Sequence, residues 1–143
     1  MTAVVVYESQ YGNTQRIAEA IARGLGGGAR AVHASAFSPA TLEPGALLVV
    51  GSPIVGWKPL EGLGAWLDAL GPGSLDGVRT AAFDTRVKLF IHGDAAKKIE
   101  HALEAAGGQR AADPTWYYVK GTEGPLLDGE LEKAEAWGRQ LAG

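Results

Sequence analysis

The chain contains no cysteine. That absence excludes a disulfide framework, a thiolate nucleophile, cysteine-ligated iron–sulfur clusters and zinc sites built on cysteine. No apolar run approaches the length of about 20 residues that spans a bilayer. There is no long basic run, and the net charge is −3, so neither nucleic-acid binding nor membrane association is expected. Histidine is scarce: His33, His92 and His101 lie far apart without an H-E-x-x-H spacing, and no metal site is expected. A G-x-x-x-x-G-K-[ST] loop and a G-x-S-x-G elbow are both missing, which removes a Walker nucleotide site and a hydrolase triad. No repeat, heptad or low-complexity tail is present.

What remains is 143 residues, 46% hydrophobic and 20% charged, which suits a single globular domain over 1–143. The opening M-T-A-V-V-V-Y-E has neither a basic stretch nor a small-residue cleavage site. It reads as a strand and not as a signal peptide, so the expected location is cytoplasmic.

Apolar runs alternate with segments of helical period, the pattern of βαβ units around a parallel sheet. Strands are expected at Ala3 to Tyr7, Ala29 to Ala34, Ala46 to Val50, Arg79 to Phe83 and Thr115 to Val119. Helices are expected from Thr14 to about Arg23, over Leu60 to Leu70, over Asp94 to Ala106 and from about Gly129 to Leu141. Gly51-Ser52-Pro53 reads as a stop to the third strand. Gly24 reads as a helix stop, although Gly24-x-Gly26-x-x-Ala29 formally matches a dinucleotide fingerprint; that motif has its mechanism only after a strand. The acids Glu123, Asp128, Glu130, Glu132 and Glu135 read as a solvated face around the last helix. In an open sheet of this kind ligands bind beyond the carboxyl ends of the strands, so the segments after strands one, three and four are the places to look.

The first of these reads S-Q-Y-G-N-T, residues 9–14. A glycine turn at a helix N-terminus presents unpaired backbone N–H groups and the positive end of the helix dipole. Ser9, Asn13 and Thr14 add side-chain donors. The set is larger than a helix cap needs, and it suits a phosphate dianion held without a lysine or arginine.

With its strand, V-V-V-Y-E-S-Q-Y-G-N-T resembles the flavodoxin signature, in which a strand leads into [TS]-x-[TY]-G-x-T. The match falls on Ser9, Tyr11, Gly12 and Thr14. The stretches A-A-F-D-T-R and G-T-E-G-P-L-L-D-G-E-L-E-K-A-E-A-W-G also look like a short flavodoxin-domain family of bacteria. The resemblance implies a flavodoxin-like doubly wound three-layer sandwich, α/β, with a five-stranded parallel sheet in the order 2-1-3-4-5. It implies FMN as cofactor, with its phosphate wrapped by Ser9, Gln10, Tyr11, Gly12, Asn13 and Thr14. It places Pro53, Ile54, Val55, Gly56 and Trp57 beside the isoalloxazine, with Trp57 stacked on the ring and a peptide near Gly56 turned toward the flavin N5. Here the glycine precedes the tryptophan, where many members have it after. Phe83, Asp84, Thr85 and Arg86 stand where the family contacts the far side and pyrimidine edge of the ring, and Phe90 is a second candidate ring. Arg86 has two readings: a cation favouring the anionic reduced flavin, or a partner of Asp84 or of a surface acid.

The implied function is electron transfer by one-electron flavin chemistry, with a reductase and an acceptor protein as partners and a monomer or weak dimer as the working form. An electron carrier is favoured over an oxidoreductase with its own substrate. The alternatives are an FMN-dependent NAD(P)H or quinone oxidoreductase, and a flavin-free module that binds a partner protein. The fifth strand reads as uninterrupted, which implies the short-chain form.

Overall fold

The computed structural model describes residues 2–55, 58–88 and 94–143. In chain order the elements are β1 (Ala3–Tyr7), α1 (Asn13–Leu25), β2 (Arg30–His33), β3 (Leu47–Val55), β4 (Lys58–Pro59), α2 (Glu61–Asp68), β5 (Arg79–Val87), α3 (Ala95–Ala105), β6 (Gln109–Arg110), β7 (Thr115–Val119) and α4 (Glu130–Ala142). Two short 3-10 turns, Ala34–Ala36 and Pro39–Thr41, carry the chain from β2 toward β3. The parallel strands run in the order β2-β1-β3-β5, with β6 and β7 both pairing with β5 along its outer side.

The strands alternate their side chains to two cores. Val5, Leu47, Val49 and Phe83 pack with Ile17, Ile21 and Leu25 of α1 and with Ala134 and Leu141 of α4. Val4, Val6, Leu48, Val50 and Ala82 pack on the other face with Leu63 and Leu67 of α2 and Ile99 and Leu103 of α3. The result is the expected three-layer α/β sandwich.

The sheet has seven strands instead of five, for two reasons. First, β3 does not stop at Gly51: it continues to Val55 and folds back antiparallel onto the two-residue β4. Gly51 O accepts the Glu8 N–H on the β1 side of the strand. Alternation points Pro53 to that same side, past the end of β1, so its missing N–H breaks no ladder bond. Second, the outer strand is broken. Thr80 pairs with Arg110 and Phe83 with Thr115, so three steps along β5 face five along the edge. The two extra residues bulge out just before Pro114, which has no N–H to donate.

Three smaller expectations also change. Gly24 lies inside α1, where α4 comes so close that a side chain would meet the backbone carbonyl of Glu135. Glu130 is buried and not solvated: its Oε1 accepts the Tyr118 N–H at 2.6 Å and so closes part of the sheet edge. The segment Asp84-Thr85-Arg86 is strand, paired residue for residue with Trp116-Tyr117-Tyr118.

Candidate functional site

The turn after β1 is built on Gly12, whose φ of 92° is left-handed and disfavours any residue with a Cβ. Its N–H donates to Ser9 Oγ at 3.0 Å, and its carbonyl accepts the Arg16 N–H at 3.1 Å, which closes the first turn of α1. Gly12 is the N-cap, and it supplies no side-chain acceptor to the helix. No acidic residue lies in the first turn. The first N–H groups of α1 therefore carry partial positive charge with no carboxylate in their own first turn. Gln10 and Tyr11 are exposed, Tyr11 by 47%. Asn13 Nδ2 donates to Glu123 O at 3.1 Å and so ties the loop between β7 and α4 to this turn. Thr14 is buried, and its Oγ1 sits 2.8 Å from Thr85 Oγ1 on β5.

The end of β3 is held by Ser52. Its buried hydroxyl donates to Pro53 O and accepts the Leu60 N–H, each at 2.8 Å, pinning the β3–β4 hairpin to the start of α2. Pro53 and Ile54 are half-buried and Val55 is exposed. Gly56, Trp57, Phe90 and His92 lie outside the described residues.

At the end of β5 the structure separates residues that the sequence had grouped. Phe83 is wholly buried, edge-on to Tyr117 at 6.1 Å and to Trp137 at 6.5 Å, and it fills the space left by the missing side chain of Gly51. It belongs to the core and offers no surface to a ligand. Asp84 is also wholly buried; its carboxylate accepts Arg86 Nε at 2.8 Å, Arg86 Nη2 at 2.6 Å and the Ala96 N–H at 2.9 Å. Asp94, the N-cap of α3, lies 3.6 Å from Arg86 Nη2. The guanidinium stacks 4.5 Å from the ring of Trp116, whose Nε1 donates to Tyr118 Oη at 3.0 Å. Of the two readings of Arg86, the structure has the pair with Asp84. Burial raises the Asp84 carboxyl above its ordinary value, and the Arg86 and Ala96 hydrogen bonds oppose that rise without cancelling it. Burial works against the Arg86 charge as well, but its bonds to Asp84 and the charges of Asp84 and Asp94 outweigh it and hold the cation above its ordinary value.

The structure thus brings the residue 9–14 turn and Thr85 into direct contact, with residues 52–55 at the end of the intervening strand. It gives the Asp84–Arg86 pair to the interior. Sequence reasoning missed Ser52 and the Asn13–Glu123 tie; the turn chemistry of G-T-E-G-P was the available signal for the latter. Among the described residues no group of three His, Asp or Glu is placed to hold a metal. No described helix is long and apolar enough to cross a membrane.

A family model described as flavodoxin matches residues 5–137. None of the curated proteins compared with the chain matches it. Among solved structures, a flavodoxin from the domain Archaea is similar at 22% identity and a TM-score of 0.78, covering 99% of this chain and 96% of that one. Oxidised flavodoxin 2 from Bacillus cereus is similar at 19% identity and a TM-score of 0.81, covering 99% and 98%. The flavodiiron protein from Giardia intestinalis is similar at 18% identity and a TM-score of 0.76, but this chain spans only 35% of its length. At these identities the structural likeness carries the fold alone.

Proposed function

We propose, from the premise that this chain belongs to the flavodoxin family, that it binds FMN on the turn after β1 and carries electrons between proteins. The observation that carries the reading is the left-handed Gly12 cap, which leaves the N-terminus of α1 without a side-chain acceptor beside a serine and a threonine. Such a turn fits a phosphate dianion by its donors alone. Bound FMN supplies one-electron redox chemistry, which the side chains of this site do not. The chain's own residues hold and orient. Ser9 fixes the turn through the Gly12 N–H, and the Thr14–Thr85 contact locks the turn to β5. Gln10, Tyr11 and Asn13 complete the phosphate turn. Pro53, Ile54 and Val55 would wall the ring on one side; Gly56 and Trp57, which the resemblance assigns to the same wall, lie outside the described residues. Thr85 would stand at the opposite wall, positioned by the neighbouring buried Asp84–Arg86 pair. The reading includes a monomer or weak dimer that works in the cytoplasm with a reductase and an acceptor protein.

The test is a fluorescence titration of flavin-free protein with FMN. We expect saturation at one FMN per chain with a dissociation constant below about 1 µM. Gly12→Val, which forces a β-branched residue into a left-handed turn, is expected to weaken binding by at least about tenfold through a strain of about 1–2 kcal/mol and a displaced turn. Absence of saturation, or equal affinity in the variant, would overturn the reading. Steady turnover of NAD(P)H with a quinone would favour the oxidoreductase alternative.

A further inference from the structure

A second cleft opens at the carboxyl ends of β1 and β2, on the α2 face of the sheet. Its volume is about 290 Å³, and its lining includes Glu8, His33, Ser35, Gly62, Ala65 and Trp66. Glu8 immediately precedes the residue 9–14 turn, but its side chain lies on the other side of the strand end, against Gly62 in the first turn of α2. A side chain at Gly62 would collide with the Glu8 carboxylate. Glu8 Oε2 is shielded from solvent, yet it meets no hydrogen-bond donor among the described residues. A shielded carboxylate oxygen without a donor is rare, because native folds satisfy almost all such groups.

The remaining walls are held in place. The Ser35 N–H donates to His33 Nδ1 at 3.1 Å, and Ser35 Oγ is 2.9 Å from the same nitrogen. In the neutral ring that puts the proton on Nε2. The ring of His33 also packs edge-on to Tyr7 at 5.7 Å. The Trp66 indole N–H donates to Phe37 O at 3.2 Å, which fixes the half-buried ring beside the cleft. A half-buried carboxylate that lines the cleft with one of its oxygens sealed in without a donor, next to an indole held by its own hydrogen bond, is the chemistry that recognises an organic cation. The carboxylate takes the charge and the N–H bonds, and the indole face takes the adjoining carbons.

We propose that this cleft is a binding site for a small organic cation: a primary ammonium or guanidinium group on a compact apolar body. The volume admits a molecule of fragment size. The site is separate from the turn after β1, which has the opposite charge preference.

The experiment uses the full 15N-labelled chain without flavin, titrated with benzylammonium chloride at constant ionic strength and followed by NMR. Benzyl alcohol is the neutral probe of matched shape. The expected result is saturable movement of the Trp66 indole signal and of the Ser35 and Gly62 amides, with benzyl alcohol binding at least about tenfold more weakly. Glu8→Gln, which keeps the shape and removes the charge, is expected to weaken benzylammonium binding by at least about tenfold. Trp66→Leu is expected to weaken it as well, by about threefold or more. Shifts that do not saturate, equal binding of the alcohol, equal binding by Glu8→Gln, or shifts centred on Asn13 and Thr14 would each overturn the proposal. The alcohol comparison is made on the unaltered chain, so it stands even if a variant folds poorly.

Discussion

The junction of β1 with α1 and the junction of β5 with α3 are made of similar parts: a buried strand end, a few small polar residues and a helix N-terminus. They use those parts in opposite ways. At the first, the cap is a glycine and no acid lies in the first turn. At the second, Asp94 caps the helix by accepting the Lys97 N–H at 2.9 Å, Asp84 accepts the Ala96 N–H, and Arg86 balances both acids. A helix N-terminus is an anion site only where the chain has not already placed its own carboxylates there.

The sharpest way to break this comparison is to remove the internal anion. Asp84→Ala leaves the Arg86 guanidinium buried without its bidentate partner and the Ala96 N–H without its acceptor. The expected loss is about 3–5 kcal/mol in urea denaturation, since removing one partner of a buried ion pair costs far more than replacing the whole pair. Replacing both partners, Asp84→Leu with Arg86→Met, is expected to recover much of that loss. If the single substitution changes stability by less than about 1 kcal/mol, the pair is not what holds this junction.

The two junctions also differ in how far the sequence disclosed them. S-Q-Y-G-N-T is local: glycine, hydroxyls and a helix start stand next to one another, and both the strand before it and the helix after it follow from period alone. The parallel sandwich was legible for the same reason, because Val4, Val5 and Val6 or Ile17 and Ile21 announce burial by spacing. Asp84-Thr85-Arg86 reads equally as loop or as strand because its satisfaction is non-local. Asp84 is answered by Ala96, which lies 12 residues on. Arg86 is covered by Trp116 of the neighbouring strand. The broken edge strand escaped for a related reason: the bulge before Pro114 is defined by register against β5, which no single stretch encodes. Glu130 read as a surface acid because its partner is a backbone N–H of Tyr118, invisible in side-chain chemistry.

The next test addresses a place where the two junctions touch. Thr14 Oγ1 and Thr85 Oγ1 share a buried hydrogen bond. Thr14→Val alone strands the Thr85 hydroxyl and is expected to cost about 1–3 kcal/mol. Thr14→Val with Thr85→Val removes both partners and is expected to cost less than the sum of the two single changes. FMN affinity should fall in Thr14→Val and stay low in the double variant, because stability is repaired there and the lost donor is not. Simple additivity of the two stability changes would show that the junctions are energetically separate.

The smallest expected effect compares Asp84 with another buried carboxyl that meets β5, this one from the middle of α3 against the start of the strand. Glu100 is wholly buried. Its Oε2 accepts the Thr80 hydroxyl at 2.9 Å, and its Oε1 has no hydrogen-bond partner among the described residues. Asp84 is fully satisfied and Glu100 only half so. Burial raises the Glu100 carboxyl above its ordinary 4.5, and the Thr80 bond opposes that rise without cancelling it. A carboxyl so raised holds its proton more tightly in the folded chain than in the unfolded one. Its contribution to stability is complete below the unfolded value of 4.5 and is lost as pH rises through the raised folded value. Glu100→Met removes the titration and leaves Thr80 Oγ1 its longer contact to Gln109 O at 3.4 Å. The variant is therefore expected to be more stable than the natural chain by on the order of 1 kcal/mol at pH 8, with the difference shrinking as pH falls toward the ordinary carboxyl range. Urea denaturation across pH 4 to 8 measures it. A gap that is constant with pH would mean that Glu100 binds its proton equally in the folded and unfolded chains, so that burial does not raise it and the substitution acts through packing alone.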